Sequence, residues 1–243
     1  MRWIYISPHL DDAVLSAGGL IYEQTRDGLD VQIWTIMCGI PPGAELSLFA
    51  QGLHQQWGIS SAAEVVKARR AEDERAANIL GAKTFYFDFL DCIYRQGRDA
   101  DWLYSDIFIP PHDDEADLPA RIAESISARL NPTDQLVCQF GLGSHVDHVL
   151  VRRAVDLLGR PVLYDADIPY LFNAPHELAA HTAGLKENTH RITEAGLGSW
   201  QDAIAAYASQ ISSLFESPEA MREQIRRYWV ERQGLCLWGG ASK

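Results

Sequence analysis

Two short stretches hold most of the residues that could do chemistry. In "YISPHLDDAVLS" (Tyr5 to Ser16) an apolar run breaks at Pro8, and His9, Asp11 and Asp12 follow at once. In "LGSHVDHVLV" a second apolar run gives way to His145 and His148. A single Asp before an amphipathic run caps a helix and opposes its dipole. A second adjacent carboxylate adds repulsion, and the histidine needs its own account. His9, Asp12 and His148 together supply two imidazoles and a carboxylate. That donor set is typical of a catalytic zinc site, which keeps one coordination position open. Water on such an ion has its pKa lowered toward ~7. Asp11, beside a ligand, suits the general base that takes its proton. His145, one helical turn before His148 if the helix starts at Ser144, would as an imidazolium stabilise an oxyanion or protonate a leaving amine. The constellation specifies metal-assisted hydrolysis of a carbonyl compound.

The elements around these residues alternate. "WIYIS" reads as a first strand and Asp12 to about Arg26 as a helix. "DVQIWTIMC" is a second strand, residues 39–60 a long loop, and about Ser61 to Leu80 a helix closed by Gly81. "KTFYFDF" is a third strand, 90–116 another loop, and about Leu118 to Leu130 a helix. "QLVCQFG", "DHVLVRRAVDLLG" and "PVLYDADIP" give a fourth strand, a helix and a fifth strand. This order predicts a Rossmann-like α/β fold, a mostly parallel sheet with helices on both faces. Ligands of such sheets gather at the carboxyl ends of the strands, where both clusters fall. "KENTHRIT" reads as an edge strand. Helices over Trp200 to Phe215 and about 218–232 complete a C-terminal helical cap. The expected organisation is one domain over 1–243, with its core in about 1–170 and its cap in about 171–243.

Bulk properties narrow the partners. The 243 residues carry 21 basic and 33 acidic side chains, a formal net charge of -12. That balance disfavours nucleic acid and anionic membrane, which need clustered Lys and Arg. No run approaches the roughly 18 apolar residues of a membrane span, and no basic-then-apolar leader opens the chain. Cys38, Cys92, Cys138 and Cys236 form no CxxC pair and read as buried free thiols. A cytoplasmic enzyme is expected, with self-association left open.

"PHLDDA" and "HVDH" resemble the two signatures of the PIG-L/LmbE-like zinc deacetylases, His-Pro-Asp-Asp-Glu and His-x-Asp-His. "RRAEDERAANILG" is similar to the family's Arg-x-x-Glu…Leu-Gly helix, and "AIAAYASQ" to its late Ser-Gln helix. The resemblance runs from residue 3 to about 215. It implies one zinc (or iron) ion per chain on His9, Asp12 and His148, with Asp11 as base and His145 as its electrostatic or acid partner. It also implies the substrate, an N-acetylglucosamine-type amino sugar or its conjugate. Leu10 and Ala13 depart from the family's Pro and Glu. Neither is a ligand position, but the missing Glu weakens transfer of any specific substrate.

Ala62, Val65, Arg69, Glu72, Ala76 and Ile79 share one helical face by spacing. Arg69 is therefore either half of an i, i+3 ion pair with Glu72 or a substrate-binding group. Asp91, at the third strand's end, is either a turn carboxylate or a binder of a substrate hydroxyl. "HDDEAD" (112–117) reads as a solvated acidic loop before a helix. Trp102, Tyr104 and Phe108 either stack on sugar faces or pack the loop. Two other chemistries compete: a metal-dependent phosphoesterase, which usually needs more bridging carboxylates, and a dinucleotide-binding module. "GLGSHV" begins like a GxGxxG fingerprint but has Val146 at the third glycine.

Overall fold

The computed structural model describes residues 1–241. Five strands run parallel, with the third at one edge of the sheet: β1 (Arg2–Ser7), β2 (Asp30–Thr35), β3 (Lys83–Tyr86), β4 (Gln135–Gln139) and β5 (Val162–Asp165). Two further strands, β6 (Leu185–His190) and β7 (Leu235–Ala241), extend it in the order β3-β2-β1-β4-β5-β7-β6. β7 runs antiparallel to both its neighbours. The helices are α1 (Asp12–Arg26), α2 (Leu48–Trp57), α3 (Ala62–Leu80), α4 (Leu118–Ser127), α5 (Val146–Asp156), α6 (Tyr170–Asn173), α7 (Leu178–Thr182), α8 (Glu194–Ala205), α9 (Ala208–Leu214) and α10 (Pro218–Arg232).

Alternation along the strands builds two cores. Tyr5, Ile33 and Val137 face one side, under Leu15 and Leu20 of α1, Leu80 of α3, Trp200 of α8 and Ile225 of α10. Ile4, Ile6 and Leu136 face the other, under Ile122 and Ile126 of α4 and Leu150 of α5. The expected mixed α/β layering is thus present. The chain steps outward from β1 to β3, then returns to place β4 on β1's other side. The crevice at that reversal, above the carboxyl ends of β1 and β4, is where such sheets bind ligands.

Several elements differ from expectation. The loop at 39–60 contains α2, whose Ser47 side chain accepts the Ala50 amide as an N-cap. β2 and β3 stop at Thr35 and Tyr86, earlier than their apolar runs. The C-terminal part is not purely helical, because β6 and β7 continue the sheet. α3 starts at its Ser61 cap and ends at Gly81, as its sequence signals, but Ile79 is 41% exposed while Leu80 is buried. The expected helix over Trp200 to Phe215 is broken at Ala206 and Tyr207. Two adjacent α3 carboxylates explain the break. Asp73 accepts from the Tyr207 hydroxyl at 2.6 Å, and Glu72 accepts from both the amide and the hydroxyl of Ser209. The apolar repeat survives the kink because both halves pack on the same face.

Close packing fixes α8 against α1. A Cβ at Gly18 would lie 2.5 Å from Trp200 Cδ1, and Trp200 Nε1 donates to the Val14 carbonyl at 2.9 Å. Only glycine permits that approach.

Candidate active site

α1 begins at the β1 end, but its capping falls to neither aspartate. Ser7 Oγ accepts the Ala13 amide at 3.0 Å, and Asp11 makes no side-chain cap bond. Both carboxylates are thereby released from the helix. Asp12 Oδ2 accepts the His9 amide at 2.7 Å and lies 3.2 Å from His9 Nδ1 and 3.3 Å from His148 Nε2. All three side chains are buried. Tetrahedral donors at metal-ligand lengths of 2.0–2.1 Å stand about 3.4 Å apart, a spacing that the two Asp12-to-imidazole distances match; His9, His145 and His148 bring one nitrogen each within 4.8 Å of one another.

The other nitrogens of the His9 and His148 rings are held as well. His9 Nε2 lies 3.0 Å from Asp147 Oδ2, and His148 Nδ1 lies 3.1 Å from Asp167 Oδ1. A carboxylate behind each imidazole is how metal-binding histidines are oriented. Sequence reasoning gave neither carboxylate a role. Asp147 sits between the two histidines of "HVDH", and Asp167 lies just past β5, at another strand end, so both signals were available.

Electrostatics agree. Burial would raise the Asp12 carboxyl, but the His148 and His9 rings outweigh it and hold it well below its usual range. Burial would lower both rings, but bonds to Asp12 and Asp147 raise His9 well above its usual value, and Asp12 and Asp167 push His148 up to about 9. The cluster demands positive charge, and a divalent ion would supply it by displacing those two protons.

His145 differs from its neighbours. α5 begins after it, so His145 is the N-cap and not part of the helical turn that carries His148. Its Nδ1 accepts the Asp147 amide at 3.1 Å. Burial and the nearby His9 and His148 charges hold it well below its usual value, hence neutral. The ring centroids of His145 and His148 are 4.9 Å apart. Cys92, His145 and Asp147 also bring donors within 4.8 Å of one another. That trio suits a cation less well, because both Asp147 oxygens are already engaged.

The remaining expected residues converge on the same crevice. Asp11 Oδ2 lies 3.5 Å from Arg69 Nη2. Burial and the Asp12 charge push its carboxyl up to about 7, against the opposing pull of Arg69. Arg69 lies 4.0 Å from Asp91 Oδ2 and over the Trp57 ring, whereas Glu72 is spent on Ser209. The i, i+3 pair is therefore not made. Asp91 caps the turn Cys92–Tyr94 through Oδ1 and points Oδ2 to within 3.8 Å of His9 Nε2. A cleft of about 870 Å³ opens above the cluster, walled by Leu53 and Trp57, Ile107 and Phe108, Tyr170, and Leu214. Of the loop aromatics, Phe108 lines this cleft, Tyr104 is buried, and Trp102 lines a separate pocket. In "GLGSHV", the Gly141 amide donates to Asp167 and the Gly143 amide to Glu177. Carboxylates thus occupy the donors that a pyrophosphate would need.

This is an open, doubly wound α/β fold with its polar cluster at the topological switch. Residues 4–158 match the PIG-L family, described as GlcNAc-PI de-N-acetylase, and the chain belongs to that family. A deacetylase of the teicoplanin biosynthesis pathway, in complex with bog, superposes with a TM-score of 0.84 at 28% identity, over 100% of this chain and 99% of that one. The zinc-inhibited form of the teicoplanin deacetylase Orf2 gives 0.83 at 27%, with 100% and 99% covered. The 2'-N-acetylparomamine deacetylase of Niallia circulans is 26% identical over 184 residues, 69% of this chain and 67% of the relative. Among the described residues no helix is long and apolar enough to cross a membrane.

Proposed function

We propose that this chain is a metal-dependent N-deacetylase that hydrolyses the acetamide of an N-acetylated amino sugar carried on a larger conjugate. The observation that carries the reading is Asp12 Oδ2 within 3.3 Å of two imidazole nitrogens whose rings are each backed by a buried carboxylate. His9, Asp12 and His148 hold one ion, zinc or iron. When bound, it supplies Lewis-acid polarisation and lowers the pKa of water.

The chain's own groups do the rest. Asp11, with its carboxyl near 7, accepts the proton of the attacking water at a carboxylate oxygen and passes it to the amide nitrogen as the C–N bond breaks. Acetate and a free amine leave. The neutral His145 ring keeps Nδ1 as an acceptor, so its proton sits on Nε2. It acts as a hydrogen-bond donor to the developing oxyanion, and not as an imidazolium. Arg69 and Asp91 flank the cleft and bind polar groups of the sugar. The cleft, at about 870 Å³, is near the upper end for small-molecule pockets, which suits a conjugate. The relatives that act in teicoplanin biosynthesis and on 2'-N-acetylparomamine support the same choice. The four buried free cysteines fit a reducing, cytoplasmic setting.

The test is acetate release from a panel of N-acetylated sugars, aminoglycosides and glycopeptides, before and after chelation. Activity should vanish with chelator and return with one equivalent of zinc or iron. Because one relative has a zinc-inhibited form, excess zinc is titrated separately. Turnover that survives exhaustive chelation would defeat the reading.

A further inference from the structure

Behind His9 lies a layer of charge that the reaction above leaves unused. Arg95 belongs to the 90–116 segment between β3 and α4 and is only 7% exposed. Its Nη1 donates to Asp147 Oδ1 at 2.5 Å and to the Leu90 carbonyl at 2.9 Å. Its Nη2 donates to Glu115 Oε2 at 3.1 Å. Glu115 also accepts from the Tyr104 hydroxyl, which in turn accepts the His112 amide at 3.0 Å. The second oxygen of Asp147 faces His9 Nε2 and the Cys92 amide.

Asp147 and Glu115 are both buried carboxylates, and Arg95 pairs with each of them. A single planar guanidinium satisfies them in two fixed directions, which an ammonium cannot do. With Oδ1 of Asp147 held by Arg95, Oδ2 is left aimed at His9, which keeps the ring's proton on Nε2 and turns Nδ1 toward Asp12. The same segment also walls the cleft with Ile107 and Phe108. The Ile107 carbonyl accepts the Val146 amide at 2.8 Å, one residue before Asp147. A cleft wall and a cation ligand therefore hang from one side chain.

We propose that Arg95 is a positioning residue: through Asp147 it fixes the orientation of His9, and through Glu115 it couples the order of the 90–116 segment to occupancy of the cation site. The proposal rests on His9 being a metal ligand. Linkage makes the coupling reciprocal, so cation binding protects the segment as much as the segment supports the cation.

The test uses the full chain as wild type, Arg95→Met, Arg95→Lys and Glu115→Gln. Zinc affinity is read by competition with a chromophoric chelator, ligand geometry from the visible spectrum of the cobalt form, and segment order from hydrogen exchange over residues 97–107 with and without zinc. Outer partners of metal ligands are typically worth ~10- to 100-fold in metal affinity. Arg95→Met should weaken zinc binding about tenfold or more on that scale, alter the cobalt spectrum and lose zinc-induced protection. Arg95→Lys should recover part of the affinity. Glu115→Gln should lose zinc-induced protection and, by the same linkage, weaken zinc binding, but by less than Arg95→Met because Arg95 still holds Asp147.

If Arg95→Met fails to fold, Arg95→Lys, Glu115→Gln and the wild-type exchange experiment carry the test. Wild-type zinc affinity and cobalt spectrum in the Arg95 variants, even with lowered thermal stability, would reduce Arg95 to a structural role and overturn the proposal. So would zinc that leaves exchange in wild-type 97–107 unchanged. A wild-type chain that binds no divalent cation would remove both the metal reading and this one. A chain that binds one ion equally well in every variant would remove only this one.

Discussion

Replacing Asp167 by Asn tests the cation site from the side of His148. Asp167 is fully buried, accepts His148 Nδ1 at 3.1 Å and takes the Gly141 amide on both oxygens at 3.1 and 3.0 Å. Asn is nearly the same size, so no cavity opens. Its carbonyl oxygen in the place of Oδ1 can still accept from both donors, but its NH₂ in the place of Oδ2 must then face the Gly141 amide. The charge behind the imidazole is also gone, which makes the ring a weaker donor to a cation. Outer carboxylates of this kind are typically worth ~10- to 100-fold in metal affinity, or about 1.4–2.7 kcal/mol. Asp167→Asn is therefore expected to weaken zinc binding within that window, measured by chelator competition on chelated and reloaded protein. Circular dichroism and the metal-free thermal midpoint report folding independently. A folded Asp167→Asn protein that binds zinc within twofold of wild type would refute the role given to Asp167 behind the His148 ring.

Asp11→Asn is expected to keep its metal and lose ~10²-fold or more in turnover, the scale of a general base; bound metal and initial rate are measured on the same sample, and normal turnover sinks the assignment. Gly18→Ala should destabilise the protein by about 1–3 kcal/mol, the scale of overpacking, because the added Cβ would meet Trp200 Cδ1 at 2.5 Å; an unchanged denaturation midpoint contradicts the α1–α8 packing. Burial pushes the Asp73 carboxyl up to about 6, despite hydrogen bonds from Tyr207 and Tyr86. A raised folded-state pKa means that the native state binds more protons between about pH 4 and 6, so this group's stabilisation is complete in acid and is lost as pH rises through 6. Wild type should therefore lose about 2 kcal/mol relative to Asp73→Asn between pH 4 and 6.5 in chemical denaturation, and parallel profiles would refute it.

Sequence alone determined the alternation of strands and helices, because burial on both faces of a parallel sheet forces apolar runs at period 2 and stripes at period 3.6, and both are visible locally. It also determined which residues could act: His9, Asp11, Asp12, His145 and His148 are polar where the strand-end pattern calls for a helix start, and their types limit the chemistry. The strand β7 and the helix α2 escaped because short, Gly-rich or polar-flanked segments carry weak periodicity, and their pairing partners lie far along the chain. The break between α8 and α9 escaped because its cause, Glu72 and Asp73, lies more than 130 residues earlier. Arg69 was legible as an interruption of an apolar stripe, but its partners were not: spacing offered Glu72, whereas the fold gave Asp11 and Asp91. Only tertiary structure decided that Ser7, and not an aspartate, caps α1, that Asp147 and Asp167 stand behind the two rings, and that Arg95 stands behind Asp147. The physical reason is the same throughout. Residue type and local period are written along the chain, but a hydrogen-bond partner or the charge that shifts a pKa is set by distance in space, and residues 9 and 147 become neighbours only once β1 and β4 lie side by side.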